Sequence, residues 1–316
     1  MATARVEAQA KLNLFLRILG REANGYHQLE TLFQRISLAD SIVVRIGTSG
    51  RSLECSGAGV GPVEENLAWR ATLAFRDATG WPDTFAIEIT KQIPVGGGLG
   101  GGSADAGATL RALNALAPTP LPVESLFGVA RALGADVPFL TSDSATAIGL
   151  VRGDVIVTCP PPSQRDVILL VPPFGVSSAD AFGWYASAHA TEPRKVSRLA
   201  TPASGIALAS VEAALAARED SAGGPARASR GLSWREIGGL AGNDLQDVVV
   251  ERHPQIGTAV AILRAAGAPV AHMTGSGSTA FGVFLQRPTG GMVAIQPGFS
   301  VLHAQTLTKV AEVELD

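Results

Sequence analysis

Cysteine is scarce in this chain, with only Cys55 and Cys159 among 316 residues. Two cysteines cannot build a disulfide framework, and neither sits in CxxC spacing. A cysteine-held structural zinc is therefore excluded, and a reducing cytoplasm is the expected compartment. Charge is sparse as well. Lys and Arg number 25 against 28 Asp and Glu, a formal net charge of −3, and charged residues make up 17% of the chain. No basic run occurs, which argues against nucleic-acid binding through a general phosphate-backbone field and leaves room only for a local basic pocket for a small anion. Long apolar runs are missing too. The stretch Leu12–Leu19 is interrupted by Asn13 and Arg17. No small-residue cleavage pattern follows it, and no window approaches the ~18–20 apolar residues of a membrane span.

What is present is enough apolar material, 46% of residues, for a substantial core. At ~100–200 residues per domain the length suits one large or two modest domains. Short or period-two apolar runs predict strands at Leu12–Leu19, Ser41–Ile46, Phe85–Ile89, Val155–Cys159, Val167–Val171, Thr279–Phe284 and Leu307–Leu315. Helical spacing predicts Leu67–Ala78, Ala104–Leu116, Val123–Leu133 and Ile256–Ala266, the last two stopped by Gly134 and Gly267. The elements mix without a βαβα rhythm, so the class is α+β. Pro160-Pro161-Pro162 can continue neither strand nor helix and divides the chain into 1–162 and 163–316. The region 187–233 is rich in Ala, Ser, Arg and Gly, with a helix expected near Ala207–Ala216 and a surface segment at Ser221–Gly231.

The loudest signal is Pro94-Val95-Gly96-Gly97-Gly98-Leu99-Gly100-Gly101-Gly102-Ser103-Ala104, between a predicted strand and an apolar-periodic helix. Glycines let backbone N–H groups approach a ligand closely, and a helix N-terminus behind them adds partial positive charge, so the combination forms an anion cradle. Gly101 is the expected point of close approach. Ser103 is placed to cap the helix, and its hydroxyl could reach a phosphate or a metal carried on one. A linker is the plain alternative, but linkers are rarely bounded by Ile-Pro and Ser-Ala-Asp. Gly96, Gly98 and Gly101 satisfy GxGxxG by spacing alone, and a second helix follows where a Rossmann unit needs a strand. Walker A spacing from Gly97 puts Ser103 where the lysine must be, which excludes a P-loop.

This loop resembles the ATP loop of the GHMP small-molecule kinases. Ala10-Lys11-Leu12-Asn13-Leu14, Gly25-Tyr26-His27, Asn66-Leu67, Gly134-Ala135-Asp136-Val137-Pro138, Asn243-Asp244-Leu245 and Thr274-Gly275-Ser276-Gly277 follow in the family's order. Jointly they narrow the resemblance to the branch acting in the non-mevalonate isoprenoid pathway on the 2-hydroxyl of 4-diphosphocytidyl-2-C-methyl-D-erythritol. The resemblance implies a two-domain GHMP kinase fold, with an N-terminal ribosomal protein S5 domain 2-like domain, a C-terminal α/β sandwich domain and the active site in the cleft between them. It implies ATP and Mg²⁺, a small-molecule cytidine diphosphate substrate, no nucleic-acid or membrane partner, and a monomer or homodimer.

By the same resemblance Lys11 and Asp136 are the catalytic pair, the aspartate accepting the proton of the substrate hydroxyl and the lysine stabilising charge. Read from the residues alone, Lys11 is equally a snorkelling lysine on an edge strand and Asp136 a turn aspartate. Asn13, Tyr26, His27, Phe33 and Asp136 are implied on the substrate side, with the aromatics and His27 holding cytosine. On the ATP side are Asn66 and residues 94–104, with Ser103 as the metal-side hydroxyl. Asn66 reads equally well as an N-cap or as an adenine contact, and Gly275-Ser276-Gly277 as a close approach over the site or a tight turn. The family's Gly-x-Gly-Glu turn reads Val151-Arg152-Gly153-Asp154 here, and Arg287–Ser300 lacks the clear helix expected before the final strand. Alternatives are a homoserine or mevalonate kinase type, disfavoured because those substrates carry no base for Tyr26 and His27, and a non-catalytic nucleotide-binding protein, which would be expected to have lost Lys11 or Asp136.

Overall fold

The computed structural model describes residues 2–22, 25–57, 61–189, 225–228, 230–286 and 297–316. The helix expected near Ala207–Ala216, Asn24 of the turn before Gly25, and most of Arg287–Ser300 lie outside these residues.

Two strands of 20 residues each, β1 (Ala2–Arg21) and β2 (His27–Ile46), form a long antiparallel hairpin that frames the molecule. β2 is long enough to take two further neighbours. Its C-terminal part pairs with β4 (Phe85–Thr90), itself parallel to β3 (Arg51–Ser56), and its N-terminal part pairs with β5 (Thr146–Val151), which continues into β6 (Val155–Thr158). On this sheet pack α1 (Leu67–Thr79), α2 (Gly101–Leu116), α3 (Val123–Leu133) and the short α4 (Val137–Thr141). Leu110 and Leu113 of α2 are fully buried, each worth about 1.5–3 kcal/mol of transfer free energy.

After the prolines the chain changes sheet. β7 (Asp166–Val171) is central in a second, antiparallel sheet. α5 (Ser178–Ala188) follows, and the two-residue β8 (Ala226–Arg227) returns to pair with β6. Next come α6 (Trp234–Leu240), β9 (Gly242–Asn243) paired with β1, α7 (Gln246–Val250) and α8 (Pro254–Ala265). β10 (Val270–Met273), β11 (Ala280–Phe284) and β12 (Ser300–Gln305) complete the second sheet, on which α8 packs, and β13 (Glu314–Leu315) ends the chain against β1. The α+β reading holds.

The strand expected over Leu307–Leu315 is corrected. Pairing with β7 falls on Ser300–Gln305, and only Glu314–Leu315 of the expected range is strand. Leu307 instead donates its N–H to the Arg35 carbonyl and accepts from the Gln34 side chain, so polar contacts fix that segment outside any ladder. The turn at Val151–Asp154 keeps a glycine-like backbone despite the substitution, with Val151 at φ +64° and Gly153 at +90°. A β-branched residue there costs about 1–2 kcal/mol.

One buried contact joins the two sheets. His272 of β10 is 1% exposed, with Nε2 2.9 Å from the Leu14 carbonyl and Nδ1 3.0 Å from that of Met273. Burial lowers its pKa below the ordinary 6.5, the two carbonyls oppose this, and Arg264 adds to it. The folded state thus binds fewer protons here than the unfolded chain. The resulting stability is complete above about pH 6.5 and is lost as pH falls through the lowered value, by up to about 1.4 kcal/mol per pH unit. Urea unfolding at pH 7.5 and 5.0 should therefore show a smaller acid loss in His272→Gln than in the parent. An equal loss would contradict the assignment.

Candidate active site

Lys11 and Asp136 meet, because β1 is irregular where they do. Its register against β2 shifts between Gln9 and Lys11 and again between Asn13 and Phe15. Such bulges free backbone groups from the ladder and re-aim side chains. The Lys11 N–H donates to the Leu99 carbonyl of the glycine loop at 3.0 Å, and that of Asn13 to Thr274 Oγ1 at 3.1 Å. Lys11 Nζ lies 3.2 Å from Asp136 Oδ2 and donates to Asn13 Oδ1 at 2.7 Å. Asn13 Nδ2 donates in turn to Thr31 Oγ1 at 2.8 Å. The lysine side chain is 4% exposed and that of Asp136 30%, so the carboxylate faces the cavity from a buried ammonium. Lys11 is not a snorkelling edge residue, and Asp136, although it precedes α4, makes no side-chain cap bond.

The glycine loop runs directly into α2. Gly96, Gly98 and Gly100 take φ of +73°, +76° and +74°, and Gly100 precedes the first helical residue, Gly101. Ser103 therefore lies inside the first turn and is not the N-cap expected of it: the left-handed Gly100 starts the helix early and no side chain caps it. Among the loop glycines the tightest packing against the rest of the chain is at Gly98, where an added Cβ would stand 2.3 Å from the Thr274 carbonyl oxygen. The segment Thr274–Gly277 thus sits on the loop, as one reading of Gly275-Ser276-Gly277 expected.

Behind the loop lies a buried ion cluster that the sequence did not reveal. Lys91 Nζ donates to Asp40 and, at 2.7 Å, to Asp105 Oδ2, while Asp40 Oδ1 accepts from the N–H groups of Gln92 and of Ile93. It ties β2, the end of β4 and α2 together. Burial pushes the Asp105 carboxyl up to about 7, against the pull of Lys91.

Lys11, Asn13, Asp136, Lys91, Asp105 and the glycine loop border one cavity of about 1240 Å³, which is also lined by Asn66, Tyr26, His27, Ser276 and Phe182. That exceeds the ~300–1,000 Å³ of a site for one drug-sized ligand. Asn66 Oδ1 caps α1 by accepting from Ala68 N–H at 2.9 Å, so the cap reading holds, and the residue lines the cavity as well. At the far end His27 stacks on Phe182 of α5, with centroids 5.3 Å apart and planes at 23°. Tyr26 is 59% exposed with the Arg152 guanidinium 4.1 Å over its ring, and Arg152 is paired with Glu22. Phe33 borders the cavity but is 1% exposed and stacked on Phe139 at 4.9 Å, so it packs the wall and offers no open face. Burial first, then the charge of Arg21, lowers the His27 pKa below 6.5, which favours the neutral ring.

The sequence profile of the GHMP kinases N terminal domain matches residues 66–144, and that of the GHMP kinases C terminal domain residues 226–290. The 4-diphosphocytidyl-2-C-methyl-D-erythritol kinase of Moorella thermoacetica is 37% identical over 93% of this chain and 94% of its own length. That of Desulfotalea psychrophila is 36% identical over 90% and 86%. The chain belongs to the 4-diphosphocytidyl-2-C-methyl-D-erythritol kinase family. A solved structure of a 4-(cytidine 5'-diphospho)-2C-methyl-D-erythritol kinase superposes with a TM-score of 0.67 at 29% identity, covering 96% of this chain and 98% of that one. A homoserine kinase from Cytophaga hutchinsonii, at 17% identity and a TM-score of 0.66 over 100% and 97%, shares the fold.

Within this kinase-family chain, α5 and α4 are the site elements that hydrophobic periodicity missed. The Asp180 N–H bonding to Ser177 Oγ marks the start of α5, a capping signal legible in Ser177-Ser178-Ala179-Asp180. The tight fit of the loop gives a direct test. Gly98→Ala places a Cβ against backbone and forces φ +76° on an L-residue, and should lower stability by more than about 2 kcal/mol. Gly102→Ala meets only Leu67 Cδ1, at 3.5 Å, and should unfold like the parent. Thermal unfolding of both decides this, and equal melting temperatures would contradict the packing of the loop under Thr274.

Proposed function

We propose that this chain transfers the γ-phosphate of ATP to the 2-hydroxyl of 4-diphosphocytidyl-2-C-methyl-D-erythritol, the substrate named for its relatives. The observation that carries the proposal is the Lys11–Asp136 pair at 3.2 Å, set beside the glycine loop in a cavity whose other end holds His27 on Phe182. Phosphoryl transfer asks for in-line positioning, neutralisation of charge on the transferring group and at most one base. Asp136 takes the hydroxyl proton as the substrate oxygen bonds to the γ-phosphorus and the bond to the β–γ bridging oxygen breaks. Lys11 keeps Asp136 oriented and balances charge on the oxygens nearby. The backbone N–H groups of residues 96–103, at the start of α2, receive the phosphates. Asn66 borders the nucleotide side, and Tyr26, His27 and Asn13 the substrate side.

Mg²⁺ with a nucleotide takes few protein ligands and keeps phosphate oxygens and waters, so it needs no all-protein cage. Ser103 in the first turn of α2 fits that need, since its hydroxyl borders the cavity beside the glycine loop. When bound, the ion neutralises phosphate charge. The division at Pro160–Pro162 makes 1–162 the part bearing the loop and the catalytic pair, with 163–316 supplying α5 and the Thr274–Gly277 segment. The two scattered cysteines fit a reducing cytoplasm.

ADP release measured with the cytidine substrate, homoserine and mevalonate in turn should show turnover with the first alone. In the same assay His27→Ala should raise the KM for the cytidine substrate about 10–100-fold, the loss of a polar partner of a buried base edge, with that for ATP within twofold. Turnover of homoserine or mevalonate instead would overturn the substrate assignment. Equal change of both KM values would make His27 a support of the fold.

A further inference from the structure

The carboxylate of Asp136 sits just before a helix of only five residues, α4, too short to be rigid by itself. The sheet face beneath it fixes that helix at three points. Lys11 pairs with Asp136 at the N-terminal end. Phe33 stacks on Phe139 in the middle, at 4.9 Å with planes 11° apart. At the C-terminal end the Arg35 guanidinium donates to three carbonyls: Phe139 at 3.0 Å, Ser142 at 3.0 Å and Ser144 at 3.1 Å. Its plane also lies near the Phe139 ring, 5.1 Å from the centroid. Arg35 stands directly opposite Lys11 in the β1–β2 register. The two cations thus grip opposite ends of the same short helix.

Arg35 is 1% exposed. A guanidinium so deeply buried is costly unless its donors are met, and here backbone carbonyls meet them. Phe139, inside α4, also accepts from the Ser142 N–H and, at 2.7 Å, from its Oγ, whereas Ser142 and Ser144 lie just past the helix end, where a cation complements the helix dipole. Burial pushes the Arg35 pKa down to about 9, with Arg111 adding and Asp143 opposing, so the residue stays charged at neutral pH. An apolar side chain could fill this space, but it would take the donor away from the Ser142 and Ser144 carbonyls.

We propose that Arg35 is a positioning residue for the phosphoryl transfer: by holding the C-terminal carbonyls of α4 it fixes where Asp136 stands relative to Lys11 and the substrate hydroxyl. The inference rests on the reading of Asp136 as proton acceptor. Arg35 borders no part of the cavity. It therefore acts through α4 and not on the substrate.

The test is a double-variant cycle on the full chain, with Arg35→Lys, Asp136→Asn and both together, reading kcat, the KM of ATP and ATP affinity by calorimetry. Arg35→Lys keeps the charge but cannot reach three carbonyls as a planar fork does. A displacement of about 1 Å in a positioned group can cost of order 100-fold, so kcat should fall roughly 10–100-fold with the KM of ATP within twofold. In the Asp136→Asn background, where no base remains to be positioned, the same substitution should cost less than about twofold. Rates are taken per ATP-binding site, which removes unfolded protein from the comparison. Should Arg35→Lys yield no folded protein, Phe139→Leu, which removes the ring but keeps the carbonyl, is read in the same cycle for the same coupling. A full further loss in the double variant, or an unchanged kcat in the single one, would overturn the inference while leaving the base intact. Near-normal turnover of Asp136→Asn alone would overturn the base assignment, and this inference with it.

Discussion

Lys11 is the residue on which the site depends. Its backbone N–H holds the glycine loop through Leu99, and its ammonium joins Asp136 to Asn13. Through the neighbouring Asn13 the same strand holds Thr274, which in turn approaches Gly98. A regular strand could not do this, because its backbone groups would be spent on the ladder. The bulges on either side of Lys11 and Asn13 release those groups toward the loop and the Thr274–Gly277 segment. A buried lysine is tolerated only with its charge met, and Asp136 meets it from the side open to the cavity.

From that centre the division of labour follows the fold. One half of the chain supplies strand, loop and short helix, which carry Lys11, the glycine run and Asp136. The other half closes over them with α5 and the Thr274–Gly277 segment, and Ser178 Oγ lies 3.1 Å from Ser276 Oγ where these two meet. His272 couples the halves by reaching the Leu14 carbonyl, three residues beyond Lys11. The Asp40–Lys91–Asp105 cluster works within the first half, fixing the start of α2 against β2 and β4.

Much of this was legible in the sequence. The strand–glycine loop–helix unit was readable because glycine density and apolar periodicity change sharply at Pro94 and Ser103. The motif order from Lys11 to Thr274 points to the family. What was not legible shares a cause: it depends on contacts far apart in the chain. Periodicity cannot find α4, which is shorter than two turns and starts Val-Pro. It reads Lys11 as an edge lysine because burial of a strand residue is decided by what lands on it. Phe182 is hidden in the mixed run Ala181–Tyr185, and Lys91 lies just past the strand predicted over Phe85–Ile89, with partners, Asp40 and Asp105, that are distant in the chain. The helix start was misplaced at Ser103 because a left-handed glycine can begin a helix without a capping side chain, and sequence preference points to the serine.

The most direct measurement is a crystal structure of the chain with a non-hydrolysable ATP analogue and the cytidine diphosphate substrate. The account predicts the 2-hydroxyl oxygen within about 3.2 Å of Asp136 Oδ2, hydrogen-bond reach for a proton acceptor, with the γ-phosphate against the glycine loop and the cytosine beside His27. A substrate hydroxyl directed away from Asp136, with the glycine loop contacting no phosphate, would contradict it.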